Sequence, residues 1–436
     1  ASIKIPHLRL KDDIDVSAPV TSFTLTGAGI GWEVGDKLVL PDNRIISYPT
    51  SWEGEVVTIT GLTVNASGDT EITVGSPLLY NHQGRKRLDG STFRMPIVQN
   101  LTRRLVIRSE SGSTRRGHVF IAGVNAGINI RNIEFFELGR TRWDVRTTPS
   151  AAEPPPTVQN QIGRYPLHLH HLLGTPGTPR GAIKGCSFWN QDATYFPYGS
   201  SQAEQTTPPV RWPITIHDTR SMVIGKNAVY NAGGWGIGTE HRGEAVSEKS
   251  THNRIEDNSV CRVGGSQQRD DDNGGVGFWF YARNYVNRNI SCNSRFEEFQ
   301  ADQGSNVLEF IDNEAFGGRI GESNWSLNGA GVSLPPPDDP NPNGPFTIET
   351  RFVSWNHLEG LSGLQYPQYN VEWHNAQLVC GPPTSWGTYG FAFGDYGVKD
   401  ITIKGNVDGG ISFVEGCFVG VNIPMMSQGI FKVTDV

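Results

Sequence analysis

The sequence predicts an all-β protein whose main body is a single-stranded, right-handed parallel β-helix, a solenoid of stacked coils. Three observations predict this fold. A motif of the form I/V-x-x-N recurs at a spacing of 31 residues, short strand patterns flank it, and Gly and Pro are spread along the chain. The 52 Gly and 27 Pro among 436 residues interrupt the 3.6-residue periodicity that long helices would need.

The repeat is clearest at three asparagines, in Ile224-Gly-Lys-Asn227, Ile255-Glu-Asp-Asn258 and Val286-Asn-Arg-Asn289. Their equal spacing places each Asn at the same turn of successive coils. An amide at such a turn can donate to one neighbouring coil and accept from the other, and Asn tolerates a left-handed backbone there. We therefore predict that the three side chains stack. Looser copies of the motif occur at Asn132, Asn313 and Asn406.

This pattern divides the chain into two regions. Residues 1–100 are strand-rich but lack the repeat, and we predict that they form a β-rich cap over the end of the solenoid, where sheet edges would otherwise be exposed. Residues 101–436 form the β-helix. Polar stretches rich in Pro or Asp predict long loops over its outer face, at about 140–163, 190–211, 264–275 and 334–345.

Composition narrows the class of function. The 37 basic and 44 acidic residues are interspersed and give a net charge of −7, which argues against a nucleic-acid partner. No apolar run is long enough for a membrane span. The first residue, Ala1, fits a mature or trimmed product. The five Cys show no CxxC spacing, which favours buried thiols and leaves one disulfide open.

Two neighbouring strands carry a cluster of histidines. Alternation along Pro166–His171 turns His168 and His170 to the outer side, about 6.6 Å apart along the strand. The next coil, Pro213–Asp218, aligns His217 over His170 at about 4.8 Å. Three imidazoles in a small triangle predict either a divalent-metal site or a site of acid–base chemistry.

Other polar groups surround the three histidines. Glu240 and His241 reach the same column from the following coil. Guanidinium groups suit the carboxylates of an acidic sugar chain, and Trp is a usual platform for sugar rings. We assign substrate binding to Arg164, Arg211, Arg242 and Trp235. A second candidate for a cation is the run Asp270-Asp271-Asp272, which could either bind Ca²⁺ or form a solvated acidic loop.

The segment Gly163–His170, read GRYPLHLH, resembles the signature of the cell-migration-inducing hyaluronan-binding proteins, which transmembrane hyaluronidases and fibrocystin-like receptors share. Further similar segments occur on both sides of it, in the same order along the chain as in the family, so the resemblance covers roughly residues 30–300. They include GWEVGD at 31–36, PLLYNH at 77–82, LTRR at 101–104, GH at 117–118, ITIH at 214–217 and GFW at 277–279. The resemblance implies a right-handed β-helix, an extracellular location, hyaluronan depolymerisation and dependence on a divalent metal.

The residues that the resemblance carries over are Arg164, His168, His170, His217, Glu240 and Glu244. The chain departs from the family beside the cluster. Trp235 stands where the family tends to have His, and His241 stands where it tends to have Asp.

The leading hypothesis is a secreted enzyme that cleaves an acidic, hyaluronan-like polysaccharide within the chain. A hydrolase would need a general acid and a base or nucleophile, for which Glu240 and Glu244 are candidates, with His241 as a further one. A lyase would use the cation to acidify the proton beside the uronate carboxylate, with His or Arg as the base. The alternatives are a non-catalytic carbohydrate-binding or adhesion module, and a tailspike-type β-helix or an epimerase.

Overall fold

The computed structural model describes most of the chain up to residue 363 and separate strands beyond it. The described ranges are 3–44, 52–87, 89–111, 116–123, 127–140, 163–173, 175, 178–190, 210–240, 250–264, 275–281, 283–295, 297–302, 307–318, 320–325, 347–357, 359–363, 371–374, 377–380, 389–393, 402–404, 412–413, 419–422 and 432–434. Within them all regular elements are β-strands, in one closed barrel, three long parallel sheets and two two-stranded sheets. The predicted all-β parallel β-helix is therefore confirmed, and its right-handed sense is the one that parallel crossovers almost always take.

The first hundred residues form a barrel of their own, with six strands closed in the order β1-β2-β5-β4-β3-β8. The strands of this region are β1 (His7–Leu10), β2 (Ser22–Thr26), β3 (Lys37–Leu40), β4 (Glu55–Val64), β5 (Thr70–Val74), β6 (Arg85–Lys86), β7 (Thr92–Arg94) and β8 (Ile97–Asn100). Alternation sets the inner face, since Thr70, Ile72 and Val74 of β5 are buried while the two residues between them are exposed.

From Leu105 onward each coil contributes one strand to each of three parallel sheets. Sheet I contains β10 (Val119–Ala122), β13 (Leu167–His170), β17 (Ile214–His217), β20 (Trp235–Glu240), β23 (Val276–Tyr281), β26 (Glu297–Asp302), β29 (Ile320–Trp325), β32 (Glu359–Gly363), β35 (Tyr389–Phe393) and β38 (Val419–Asn422). Sheet II contains β11 (Asn129–Arg131), β14 (Gly181–Lys184), β18 (Met222–Gly225), β21 (Arg254–Glu256), β24 (Tyr285–Asn287), β27 (Glu309–Ile311), β30 (Thr347–Thr350) and β33 (Val371–His374).

Sheet III supplies the third strand of each coil and packs against the barrel. It contains β9 (Leu105–Arg108), β12 (Ile133–Phe136), β15 (Ser187–Trp189), β19 (Ala228–Gly233), β22 (Ser259–Gly264), β25 (Ile290–Cys292), β28 (Glu314–Phe316), β31 (Val353–His357), β34 (Gln377–Cys380) and β37 (Ser412–Phe413), with β16 (Val210–Arg211) paired beside β19. The last pair is β36 (Thr402–Lys404) with β39 (Lys432–Thr434).

The inward side chains of successive coils stack on one another and fix the register. In sheet I the column runs through Leu167, Ile214, Ile237, Phe278 and Phe299. All five are buried, and the rings of Phe278 and Phe299 stack in parallel with centroids 4.9 Å apart. Burying one such side chain stabilises the fold by about 1.5–3 kcal/mol, and a slip by one residue would turn every side chain of a strand to the opposite face.

The predicted asparagine ladder is confirmed. The Asn227 amide donates to Asn258 Oδ1 at 2.9 Å, Asn258 donates to Asn289 at 2.9 Å, and Asn289 donates to Asn313 at 3.1 Å. The left-handed backbone lies one residue earlier than expected, since Lys226 has a φ of 55° before Asn227. The looser copy at Asn132 falls in that left-handed column, with a φ of 53°, and is not a member of the ladder. Asn406 lies outside the described residues.

A second ladder lies at the preceding turn of the coils and was not predicted. Asn253 Nδ2 donates to Asn284 Oδ1 at 3.1 Å and to Thr219 O at 2.8 Å. Asn253 Oδ1 accepts from the backbone N–H of Met222 at 3.0 Å. Both ends of sheet II are therefore tied across coils by buried amides.

The barrel lies along the side of the solenoid, where a cap over its end was expected. Arg9 in β1 forms two hydrogen bonds to Glu314, at 3.0 and 2.5 Å. Arg103, just after the barrel, donates to Gly185 O, whereas Asn356, several coils further on, donates to Asn43 O at 2.6 Å. The reason for this placement is the outer face of sheet III, which carries large apolar side chains that need cover. They include Trp189, Tyr230, Phe316 and Trp355, packed with Val39, Ile97 and Leu101 of the barrel region.

The remaining predictions about the chain have mixed outcomes. Cys186, Cys261 and Cys292 are buried free thiols, as expected; the side chains of the other two lie outside the described residues. The predicted loops fall mostly outside the described residues too, although Val210 and Arg211 at the edge of one of them form a short strand. Among the described residues there is no helix long and apolar enough to cross a membrane.

Candidate functional site

The parallel register of sheet I brings the predicted histidines together. His168 pairs with Thr215, and His170 pairs with His217 in the next coil. Leu167 and Leu169 alternate with the histidines and are fully buried in the core, so the imidazoles lie on the outer face. The predicted alignment of His217 over His170 in the next coil is confirmed; the two rings meet edge to face, with centroids 4.6 Å apart.

The three imidazoles converge on one point. One nitrogen of each of His168, His170 and His217 lies within 4.8 Å of the others. A tetrahedral ion with nitrogen ligands at 2.0–2.1 Å would need those atoms about 3.3 Å apart, so the rings would have to approach one another by up to about 1.5 Å on binding. Among the described residues, these three histidines are the one group of His, Cys, Asp or Glu side chains close enough together to hold a metal ion.

His168 is the most buried of the three and is held in one orientation. Its Nδ1 lies 2.9 Å from Gly163 O, to which it can only donate, so Nε2 carries the lone pair. That Nε2 is buried and has no hydrogen-bond partner in the described structure. Burial lowers the pKa of His168 to about 3, so the ring is neutral at physiological pH. An oriented, neutral imidazole with an unused buried lone pair is the donor that a metal ion requires.

The buried carboxylate of Asp218 contacts two histidines on the other side of the cluster. Asp218 is fully buried, and its Oδ2 lies 3.0 Å from His217 Nε2 and 3.4 Å from His171 Nε2. Burial, and then the neighbouring His217 and His171 imidazoles, lower the pKa of His170 to about 4. The arrangement resembles the carboxylate–histidine–metal triad, in which a carboxylate accepts the second ring N–H of a ligand histidine and so fixes its tautomer.

Sequence reasoning passed over Asp218 and His171 as functional residues. Both follow the last residue of a sheet I strand and both have left-handed backbones, with φ values of 44° and 54°. The ordinary alternation of a strand therefore does not apply to them. The only signal in the sequence was their adjacency to His217 and His170.

The donor set discriminates between the cations proposed from the sequence. Neutral imidazole nitrogens suit Zn²⁺ and other transition ions, whereas Ca²⁺ takes oxygen ligands. The residues present therefore fit a transition ion at the histidines. The alternative Ca²⁺ run, Asp270–Asp272, lies outside the described residues.

The predicted catalytic residues are placed only in part. Glu240 ends β20 and pairs with His217, which puts its Cα one coil beyond the histidines, as expected. Its side chain lies outside the described structure. His241, Arg242 and Glu244 are likewise outside it. Arg211 lies in β16, with only its backbone described. The roles assigned to these five residues stay predictions.

Two predicted substrate-binding residues are described fully. Arg164 is half-buried and lies near His118; burial, and then the Arg140 and Arg164 guanidiniums, lower the pKa of His118. Trp235 is only 3% exposed and belongs to an aromatic stack. Its ring lies 4.8 Å from that of Trp212 and 4.4 Å from that of Trp279, between centroids.

A glycine makes room for that stack. A Cβ at position 238 would lie 2.4 Å from Trp235 Nε1, so the indole lies directly over Gly238 on the outer face of sheet I. Trp235 is therefore packed within the protein in this structure. A sugar-binding role for its ring would need a change in that packing and stays a prediction.

No protein-family model matches the chain. No curated protein matches it either, so the resemblance to the hyaluronan-binding family stays a prediction. Structures similar to the chain include tailspikes of Pseudomonas phages phi297 and LKA1, at 10% and 9% identity, with TM-scores of 0.19 and 0.23. A third is a tailspike of Acinetobacter baumannii phage AP22 in complex with a capsular saccharide of that bacterium, at 10% identity and a TM-score of 0.17.

These alignments cover 99%, 99% and 98% of the chain but 64%, 64% and 66% of the tailspikes. The chain thus spans less than two thirds of the length of each tailspike. At such low TM-scores these similarities do not indicate the function of the chain.

Proposed function

We propose that the protein is an extracellular enzyme that depolymerises an acidic, uronate-containing polysaccharide, hyaluronan-like, with a divalent transition ion held by His168, His170 and His217. The observation that carries the proposal is the buried, unpartnered Nε2 of His168 beside two further imidazoles. His357 also has a buried ring nitrogen without a described partner, but the His168 nitrogen belongs to a group of three described side chains close enough to hold an ion. The outer face of sheet I extends over many coils along the solenoid axis, a length that suits an extended polymer.

The residues of the chain would divide the work as follows. His168 is oriented by Gly163 O and His217 by Asp218, so that their remaining nitrogens face the ion. The ion, when bound, would supply Lewis acidity toward a water or a sugar oxygen. Arg164 would bind a uronate carboxylate.

Glu240, one coil beyond His217, would transfer the proton to or from the glycosidic oxygen if the enzyme is a hydrolase. For a lyase, the same column would hold the base that removes the proton beside the uronate carboxylate. Both reactions fit the donor set, and the products distinguish them, because only elimination leaves an unsaturated uronate that absorbs ultraviolet light.

Substitution of Glu240 tests the proposed chemistry. We expect Glu240→Gln to lower turnover roughly 10²–10⁴-fold on the best uronate polymer, since an acid–base group is lost. Glu256→Gln, a carboxylate change on sheet II, is the matched control and should keep full turnover. Near-wild-type rates for Glu240→Gln would remove Glu240 from the mechanism and make His241 or Glu244 the next candidates.

Arg164→Ala separates binding from chemistry. We expect it to raise KM on the same polymer by the equivalent of roughly 1.5–3 kcal/mol, while kcat stays close to that of the wild type. Reducing-end release and ultraviolet absorbance on a panel of uronate polymers are the measurements, with circular dichroism as the folding control. Binding without any product would favour the adhesion module instead.

A further inference from the structure

Phe120 lies beside the histidine cluster on the outer face of sheet I. It is 51% exposed, and among the residues whose side chains the structure describes it is the one exposed aromatic ring. Its ring centroid lies 5.0 Å from that of His168 and 5.4 Å from that of His170. The exposed ring is therefore continuous with the candidate metal site.

The register of the strands sets how far Phe120 is from the cluster. Phe120 pairs with His168, and Ala122 pairs with His170, so β10 lies one coil before the histidines. The coil spacing of about 4.8 Å is close to the length of one sugar unit in a polymer that runs along the solenoid axis. Ala122 is exposed and small, which leaves the face beside Phe120 open.

Positive charge lies at the same end of the site. The Arg140 N–H donates to Arg164 O at 3.0 Å, and the Gly139 N–H donates to Gly117 O at 2.8 Å, so Arg164 lies close to the segment that leads through His118 to Phe120. Within the described part of the chain no carboxylate pairs with the Arg164 guanidinium. An exposed aromatic ring and a guanidinium at the same end of a site suit a ligand that is partly apolar and anionic, such as the ring of a uronate.

We propose that Phe120 is the stacking platform of a substrate subsite that adjoins the histidine cluster, and that Arg164 binds the carboxylate of the uronate seated there. This inference rests on the proposed function and deepens it. The polymer then runs along the axis of the solenoid, from Phe120 across the histidines towards Glu240. Phe120 contributes to binding and takes no part in proton transfer.

The test is binding of defined uronate oligosaccharides, hyaluronan fragments among them, measured by calorimetry on the full chain. We expect Phe120→Ala to weaken binding roughly 3–10-fold and Phe120→Tyr, which keeps the ring, to stay within about twofold of the wild type. Leu105→Ala removes another exposed apolar side chain, 59% exposed and on sheet III, and should leave affinity unchanged. Metal content should be equal in all four proteins.

The outcomes separate this inference from the proposed function. Unchanged affinity in Phe120→Ala, or an equal loss in Leu105→Ala, would overturn the subsite while leaving the enzyme proposal standing. A wild type that binds the oligosaccharides but does not cleave the polymers would overturn the enzyme, and the Phe120 comparison would still decide the subsite. A wild type that binds none of them would overturn both.

Discussion

The asparagine corner and the histidine face are built by the same device and differ in how they are completed. Both are columns of polar side chains that the coil register stacks. At the corner, Asn258 donates to Ile224 O and Asn289 Oδ1, and its own Oδ1 accepts from the Asn227 side chain, all at 2.8–2.9 Å. On the face, His168 Nε2 is buried with no described partner.

The two columns therefore differ in their effect on the free energy of unfolding: the asparagine column stabilises the fold, and the histidine column destabilises it. A closed ladder gains a net hydrogen bond at each step, whereas a buried lone pair without a partner costs roughly 1–3 kcal/mol. The cost is tolerated when a ligand supplies the missing partner. The histidine column therefore has a buried nitrogen that a ligand could satisfy, whereas the asparagine column is complete and holds the coils in register.

The largest expected effect comes from breaking the closed column. Asn258→Ala removes both donors and the acceptor of that amide and leaves the backbone N–H of Asn227 buried without its partner at 3.0 Å. We expect a loss of roughly 4 kcal/mol in the free energy of unfolding, seen as a lower urea midpoint. Asn129→Ala, at an exposed Asn on sheet II, should change it by less than about 0.5 kcal/mol. Equal midpoints for the two variants would contradict the assigned role of the ladder.

The buried carboxyl of Glu298 sharpens the comparison, because the hydrogen-bond partners described for it are neutral. Glu298 accepts from Ser291 and Ser294 at 2.5 Å, and burial raises its pKa from 4.5 to about 7. Since the pKa of Glu298 is higher in the folded than in the unfolded protein, its contribution to the free energy of unfolding is fully present below about pH 4.5. That contribution falls by roughly 3 kcal/mol as the pH rises to about 7.

Glu298→Gln should remove that pH dependence. We expect the urea midpoint of the wild type to fall relative to that of the variant as the pH rises from 4.5 to 7.5, because the buried histidines with lowered pKa values affect both proteins equally. Glu309→Gln, a half-buried carboxylate of sheet II, is the control and should follow the wild type. A difference between wild type and Glu298→Gln that stays constant across this range would show that Glu298 is ionised without penalty.

The parts of the structure that the sequence could predict are those set by periodicity. The equal spacing of Asn227, Asn258 and Asn289 located one ladder, and strand alternation located the three histidines. The same spacing separates Asn253 from Asn284, so the second ladder was present in the sequence and was missed.

The rest depended on contacts that no spacing encodes. The barrel packs along sheet III because the outer face there is apolar, and this follows only once all three sheets are known. Asp218 meets His217 and His171 because its backbone is left-handed, which strand alternation cannot predict. Phe120 precedes the ladder region and carried no motif.

The central claim is that His168, His170 and His217 bind one divalent transition ion, and titration of Zn²⁺ into metal-free protein tests it most directly. We expect one ion per chain and, at an ion concentration of about 100 Kd, a gain of roughly 2.7 kcal/mol in the free energy of unfolding. His170→Ala should lose both the bound ion and the gain in stability. His118→Ala, which removes a neighbouring imidazole outside the cluster, should keep both. A wild type that binds no ion, or equal binding by wild type and His170→Ala, would contradict the claim and reduce the cluster to a structural or proton-handling role.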